Sequence, residues 1–499
     1  MEHGQVWLLW ATLTVSLLYI LSSLRRRHSS GRRLPPGPRP LPVIGNALDL
    51  RGNLHHTLAR LACTWGPSRP WPSPPGTPPI MEAFTKHDRR LAGRYVVDAV
   101  RALGWADRSL LNMPSSDPLW KLQHSVLASH AFSPRGLAAA RGVRERKVRE
   151  LLGHIRARAG QEVELGRALY GGLINLVSSA FFSVDVVDMD AAAGESAHGI
   201  REHVGNIADL MTKANVSDLF PFLQPLDLQG LRRAAARHLG EIFRIVDGII
   251  ERRLAENAAS GDGSGEHGDF LQVLLDLMST GKVDRDTVKA IVFEIFLTGG
   301  ETTTVTVEWA MAELLRNPSA MAKLRAEISG ALGGKETIEE ADVAALPYLQ
   351  AVVKEAMRLH PVGPLLAPHK AVDDGVEVCG YAVPKGCTVF INVWAMMRDP
   401  AVWDNPEEFM PERFLGKAAE VDFKGKDFGI FPFGYGRRQC PGMPMAERVV
   451  PHVLASLLHA FEWRLPEGMS AEQLDLAERF TTSNTLAVPL KVVPISVAA

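Results

Sequence analysis

Three long stretches repeat apolar side chains with the period of an amphipathic helix: Leu137 to Ala159, Leu228 to Asn257 and Val288 to Arg316. All three carry ample Ala, Leu, Glu and Arg, which lose little on entering a helix, so the spacing predicts a helix over each. Strand-like patterns are few and come late. Val376 to Tyr381 and Thr388 to Val393 are alternating or apolar runs separated by Pro384-Lys385-Gly386, which predicts a small hairpin. Leu486-Ala487-Val488-Pro489-Leu490 predicts one more short strand, which its proline confines to a sheet edge. The Gly- and Ser-rich stretch 258–268 reads as a flexible loop within one domain. The pattern predicts a mainly α fold with a small β part.

The N-terminus has a different pattern. Val6 to Leu24 is a 19-residue run without a charge, and Arg25-Arg26-Arg27-His28 follows at once. At 1.5 Å per residue such a run spans roughly 28 Å, close to the hydrocarbon thickness of a bilayer. The expectation is a membrane-spanning helix with its basic side in the cytosol. A cleaved signal peptide would carry its basic end before the apolar run and a small-residue site after it, and neither is present. Leu34-Pro35-Pro36-Gly37-Pro38 opens a stiff, extended connector. The expected organisation is an anchor over 1–28, a hinge over 29–46 and a single large domain over 47–499. Within that domain, 66–80 is atypical. Seven prolines between Gly66 and Ile80 remove the donors that paired strands need.

Composition narrows the chemistry. The chain has 499 residues and a net charge of −1, which gives no footprint for nucleic acid. Its four cysteines, Cys63, Cys379, Cys387 and Cys440, form no CxxC pair and are too sparse for a disulfide framework. Cys440 stands apart, because it follows the turn-forming run Phe431-Pro432-Phe433-Gly434-Tyr435-Gly436-Arg437-Arg438-Gln439 and precedes an apolar helix pattern starting near Met445. A thiolate at a helix start is favoured by the amide dipoles and by nearby positive charge. It is also the haem ligand that favours oxygen-bond cleavage.

A second constellation is Thr298-Gly299-Gly300-Glu301-Thr302-Thr303, inside the third predicted helix. Two interior glycines cost about 1 kcal/mol each, a loss that makes sense if a flat cofactor crosses the helix there. A local opening would then project an acid and an alcohol, a pair suited to delivering protons. Glu355 and Arg358, three apart on one helix face, read in isolation as a surface ion pair.

Phe433, Gly436, Arg438, Cys440 and Gly442 match the haem-binding signature of the cytochrome P450 monooxygenases. Nearly the whole chain resembles that family, in particular plant microsomal terpenoid hydroxylases of the geraniol-hydroxylase type and their cereal subgroup acting on labdane-related diterpenes. The resemblance implies the P450 fold behind an N-terminal transmembrane helix. It implies heme b with Cys440 as the axial ligand to iron, and Arg438, Phe433, Gly434, Gly436, Gly442, His369, Trp120 and His124 about the cofactor. His124 stands where the family places an arginine four residues after the tryptophan. Thr302 would hydrogen-bond oxygen in the pocket while Glu301 relays protons. Glu355, Arg358 and Arg413 would form a structural network behind the cysteine loop. Phe296, Thr298, Gly299, Gly363, Leu365 and Leu366 would line an apolar substrate pocket, with Thr298 where alanine is usual.

The implied reaction places one atom of O2 into a C–H bond of a terpenoid. Electrons would come from NADPH-cytochrome P450 reductase at the endoplasmic reticulum membrane. A monoterpenol, fatty-acid or phenolic hydroxylase would share these motifs. An inactive paralogue or a mis-spliced product is the alternative that the proline-rich stretch suggests.

Overall fold

The third predicted helix becomes the axis of the molecule. The computed structural model describes Thr14 and residues 34–497, other than 42–44, 47–48, 50–51, 66–78, 190–196, 260–267, 417–420, 422 and 424–428. Its main helices are α1 (Leu54–Trp65), α2 (Pro79–Leu91), α3 (Pro118–Val126), α4 (Arg141–Arg156), α5 (Leu165–Phe182), α6 (Ala197–Thr212), α7 (Leu231–Ala259), α8 (Arg285–Arg316), α9 (Pro318–Leu332), α10 (Pro347–Leu359) and α11 (Met443–Ala460). The three predicted helices appear as α4, α7 and α8, the first with a separate turn at Pro134–Ala139 before it.

Helix α8 runs unbroken for 32 residues. It starts where the Asp284 carboxylate accepts the Thr287 amide at 2.8 Å, capping an otherwise unpaired donor. It stops at Asn317 because Pro318, which has no N–H to continue the ladder, opens α9 instead. The local opening expected around Gly299 and Gly300 is therefore absent.

The two glycines have another use. A Cβ on Gly299 would meet Val177 Cγ1 at 3.1 Å, and one on Gly300 would meet Ile174 Cδ1 at 2.9 Å. Both contacts are with α5, whose Gly172 in turn lies where a Cβ would be 2.9 Å from Leu151 Cδ1 of α4. Missing side chains thus let three helices pack closely, and the apolar area buried offsets the helix penalty. Phe293, Phe296 and Trp309 of α8 are fully buried in this core, Phe296 edge-to-face with Phe182 at 5.5 Å.

The strands are β1 (Gly93–Arg94), β2 (Val163–Glu164), β3 (His369–Lys370), β4 (Val376–Val378), β5 (Tyr381–Val383), β6 (Thr388–Val389), β7 (Phe461–Arg464), β8 (Glu478–Phe480), β9 (Asn484–Leu486) and β10 (Lys491–Ser496). The predicted hairpin forms differently. β4 pairs with β5 through Cys379 and Gly380, both at positive φ, as a two-residue turn with this twist demands. β6 pairs instead with β3, in the sheet β1-β3-β6. Leu486 closes β9, but the longest strand lies beyond it. β10 is the centre of the sheet β2-β10-β7, and at Pro494 it pairs with β7 alone, since β2 reaches only Lys491 and Val492.

One expectation is corrected outright. Among the described residues no helix is long and apolar enough to cross a membrane. The transmembrane helix, the membrane-anchored state and the single-pass endoplasmic-reticulum placement that followed from it are withdrawn. The run 6–24 on which they rested lies outside the described residues, Thr14 excepted. So do most of the proline-rich stretch (66–78) and of the Gly/Ser-rich loop (260–267).

Helix α1, just before the proline-rich stretch, is fastened to the far end of the chain. His55 Nε2 lies 3.0 Å from Glu478 Oε2, and Asn53 Nδ2 donates to the Glu478 carbonyl at 2.9 Å. Glu478 also meets His360 Nδ1 at 3.3 Å and Arg398 Nη2 at 3.6 Å, and the hydrogen bonds to His360 and His55 with the charge of Arg398 hold its carboxyl far below the usual range despite burial. His55, His56 and Glu478 have the spacing of metal ligands, but the carboxylate is already committed to this knot.

Candidate active site

A cavity of about 410 Å³ lies where α8, α5, α3 and the loop before α11 converge. Its volume is in the range of small-molecule and cofactor sites, and its wall is mostly apolar. Cys440 is in that wall. The amide of Cys440 bonds the Phe433 carbonyl at 2.9 Å, and Gly434 N bonds Phe431 O at 3.1 Å, closing the loop tightly. Gly434 and Gly436 both have positive φ, and a Cβ on Gly436 would collide with the Asp88 carboxylate of α2. The Cys440 side chain lines the cavity. Burial pushes its pKa up, while hydrogen bonds from the Gly442 and Met443 amides at the start of α11 work in the opposite direction.

Facing the same space are Thr298, Gly299 and Thr302 of α8. Thr302 Oγ1 donates to the Thr298 carbonyl at 2.6 Å, and Thr298 Oγ1 donates to the Glu294 carbonyl at 2.7 Å. Each hydroxyl therefore turns lone pairs to the cavity. Glu301 is not in the wall. It is half-buried beside Ser483, which is in the wall, and desolvation raises its pKa. The sequence-predicted acid and alcohol are thus neighbours in the helix, but only the alcohol reaches the cavity directly.

Glu355, Arg358 and Arg413 are brought together. Glu355 and Arg358 are fully buried and bidentate, with Arg358 Nε to Oε2 at 2.7 Å and Nη2 to Oε1 at 2.9 Å. Arg413 Nε reaches the same Oε1 at 2.9 Å. The arginines also bind the carbonyls of Met397, Pro406 and Asp404, each at 2.8 Å. Trp403 lies under both guanidiniums and donates to the Gly429 carbonyl at 3.2 Å, so the knot is tied to the chain leading to Cys440. An isolated surface pair this is not.

Four residues of the expected cofactor shell gather at one end of the cavity, with details the sequence did not disclose. Arg438 lies over the Trp120 ring at 5.0 Å, but it donates to the carbonyls of Ala92 (2.9 Å), Leu110 (3.1 Å) and Met113. Three of its five N–H groups are thereby spent on backbone. His369 Nδ1 is 2.8 Å from the Leu91 carbonyl, which makes that nitrogen the donor. Burial, with Arg94 and Arg438 nearby, depresses the His369 pKa to about 4, so the ring is neutral near pH 7. His124 stacks on Trp120 at 4.9 Å, and burial and Arg438 lower its pKa also. Neither histidine supplies charge.

Other expected residues fall elsewhere. Gly363 and Leu366 line the cavity, but Phe296 and Leu365 do not: both are buried in the packing behind it. Among the wall residues that sequence reasoning missed, two are ionisable groups at functional positions. Glu294 is buried, its Oε1 accepting from Trp105 Nε1 at 3.1 Å and from Ser109 Oγ, its Oε2 from Leu110 N at 3.0 Å. Burial, outweighing these donors, pushes its pKa up to about 7. Arg94 is the other. Its only sequence signal is Gly93, where a Cβ would sit 2.6 Å from the Lys370 carbonyl and prevent β1 from pairing with β3.

Cys440 thus sits in a largely apolar wall with a cationic end beside it, and comparison with known proteins gives the class. The chain belongs to the cytochrome P450 family, whose profile matches residues 35–487. It is a haem-thiolate monooxygenase. Three proteins of Oryza sativa subsp. japonica are similar over essentially their whole lengths. Cytochrome P450 76M5 is 57% identical, with all of both chains covered. Ent-cassadiene C11-alpha-hydroxylase 1 is 55% identical and oryzalexin D synthase 54%, each with 99% of both chains covered.

Proposed function

We propose that this enzyme hydroxylates a labdane-related diterpene, with heme b held by Cys440. The observation that carries this reading is the placing of the Cys440 thiol and the Thr302 hydroxyl in one largely apolar cavity. The names of two relatives, an ent-cassadiene hydroxylase and an oryzalexin synthase, support the substrate class. When bound, the haem supplies the oxygen-activating chemistry. The overall balance is RH + O2 + 2 electrons + 2 protons giving ROH and water, with electrons from NADPH through a flavoprotein reductase.

The chain's own residues do the rest. The Gly442 and Met443 amides favour the thiolate form of Cys440. Thr302 accepts a hydrogen bond in the cavity, and rotation of its hydroxyl off the Thr298 carbonyl makes it a donor. Glu301, its pKa raised by desolvation and its side chain bonded to Ser483, relays protons toward the wall. The apolar wall, with Leu110, Leu111, Ile291 and Ile295, excludes water and receives a hydrocarbon.

The test is expression with a plant reductase and feeding of mono- and diterpenes. Reduced wild type under carbon monoxide is expected to give the red-shifted band of a thiolate-ligated haem, and Cys440→Ser to lose both the band and turnover. A serine variant that kept both would overturn the ligand assignment. Turnover of monoterpenols with no preference for diterpenes would overturn the substrate class.

A further inference from the structure

Tyr170 of α5 is 5% exposed, and its hydroxyl has no hydrogen-bond partner among the described residues. A buried hydroxyl left unpaired is destabilising, so its presence wants a cause. Its position follows from the crossing of α5 and α8. A Cβ on Gly166 would lie 2.6 Å from Glu308 Oε1, and one on Gly300 would meet Ile174. Residues 166 and 174 of α5 thus face 308 and 300 of α8, and the helices are antiparallel. Tyr170 is one turn from both Gly166 and Ile174, so it shares their face, level with the stretch between Glu301 and Glu308. Burial raises the pKa of both acids. The Arg201 guanidinium of α6 lies over the Tyr170 ring at 4.9 Å, and its charge bears on both carboxyls. Asp209 of α6 is the other charged group that bears on Glu301. Glu308 already accepts from the Leu490 amide at 3.3 Å, and it is Glu301 whose charge bears on the phenol. Arg201 is partly exposed and Ser483 is in the cavity wall. Solvent, the Arg201 edge, Tyr170, Glu301, Ser483 and the cavity therefore follow one another in a row.

We propose that Tyr170 is the relay through which Glu301 regains its proton from solvent. The inference deepens the reading of Glu301 as the relay acid and rests on it. When the Glu301 carboxyl gives up its proton on the Ser483 side, the carboxylate takes the phenolic proton of Tyr170. The Tyr170 oxygen then takes a proton from water at the Arg201 edge. One O–H bond breaks at each oxygen as another forms, so the phenol is neutral before and after. Burial holds the phenol pKa above its ordinary value, which disfavours a lasting phenolate, while the Arg201 cation stabilises charge on the oxygen during transfer. Tyr170 is outside the cavity wall, so it acts through Glu301 as a positioning residue.

Tyr170→Phe removes the hydroxyl alone and leaves a ring under Arg201. Two measurements on the holoenzyme read the relay, with Glu301→Gln as reference. Infrared spectra at mildly acid pH give the protonated carboxyl band of Glu301, assigned by its loss in Glu301→Gln. The band is expected to shift in Tyr170→Phe, and an unmoved band would overturn the proposal. The second measurement is turnover, with a plant reductase, of the terpene in the feeding panel that wild type hydroxylates fastest. Tyr170→Phe should lower product formation by about tenfold or more and raise the solvent deuterium isotope effect, as loss of a proton donor does. The carbon monoxide band and the substrate affinity should stay as in wild type. The double variant should match Glu301→Gln, because a relay to a missing acid carries nothing. Additive losses would overturn the proposal, as would a wild-type rate and isotope effect in Tyr170→Phe beside an impaired Glu301→Gln; both leave Glu301 in its role. Wild-type behaviour of Glu301→Gln would instead overturn the reading of Glu301 itself. If Tyr170→Phe does not hold haem, the hydroxyl is structural and the proposal falls. A wild type that hydroxylates no terpene of the panel would overturn the hydroxylase reading.

Discussion

Glu294 shows how a single side chain can make the cavity sensitive to pH. Its carboxyl joins α8 to the Trp105–Leu110 segment, and burial raises its folded pKa from an ordinary 4.5 to about 7. Between these values the folded state binds more protons than the unfolded one, so stability falls as pH rises. The contribution is fully present below about pH 4.5 and lost as pH passes 7. We expect Glu294→Gln to remove a decline of about 1–3 kcal/mol between pH 5 and 8, measured as the difference between denaturant midpoints of the two proteins. At this scale the sequence was uneven. Cys440 was legible because its flanking glycines and arginine are local. Arg94 and Glu294 were not, because their roles depend on partners at Ala367 and Trp105, which no spacing announces.

Among elements, the close crossing of α5 and α8 depends on an absent side chain. Gly300→Val would press a branched group into Ile174, whose Cδ1 lies 2.9 Å from the position of a first carbon. Overpacking of this kind costs about 1–3 kcal/mol, so thermal unfolding should begin several degrees lower. Adding Ile174→Ala should recover part of the loss if the clash is its cause. The knot below α10 works through charge. Glu355→Ala leaves Arg358 and Arg413 buried without their shared carboxylate, a change worth about 3–5 kcal/mol. It should greatly reduce the haem-bearing fraction, read from the carbon monoxide spectrum against total protein. The periodic helices were readable from sequence because each buries one face along its length. β10 was not, since Pro494 argues against a strand and is accommodated only where one neighbour ends.

Over the whole molecule, the helical class and the thiolate site were legible, while the way the chain closes on itself was not. His55 of α1 binds Glu478 across 423 residues, and nothing near either residue signals it. That contact has a consequence in time. At synthesis rates of about 5–20 residues per second, α1 leaves the ribosome roughly 20–80 s before its partner exists. Cys440 also emerges late, so the nascent chain carries an amphipathic, half-finished surface for most of its manufacture. An early segment of the enzyme is thus among the last to find its place, and its birth is a period of dependence on whatever shields unfinished chains.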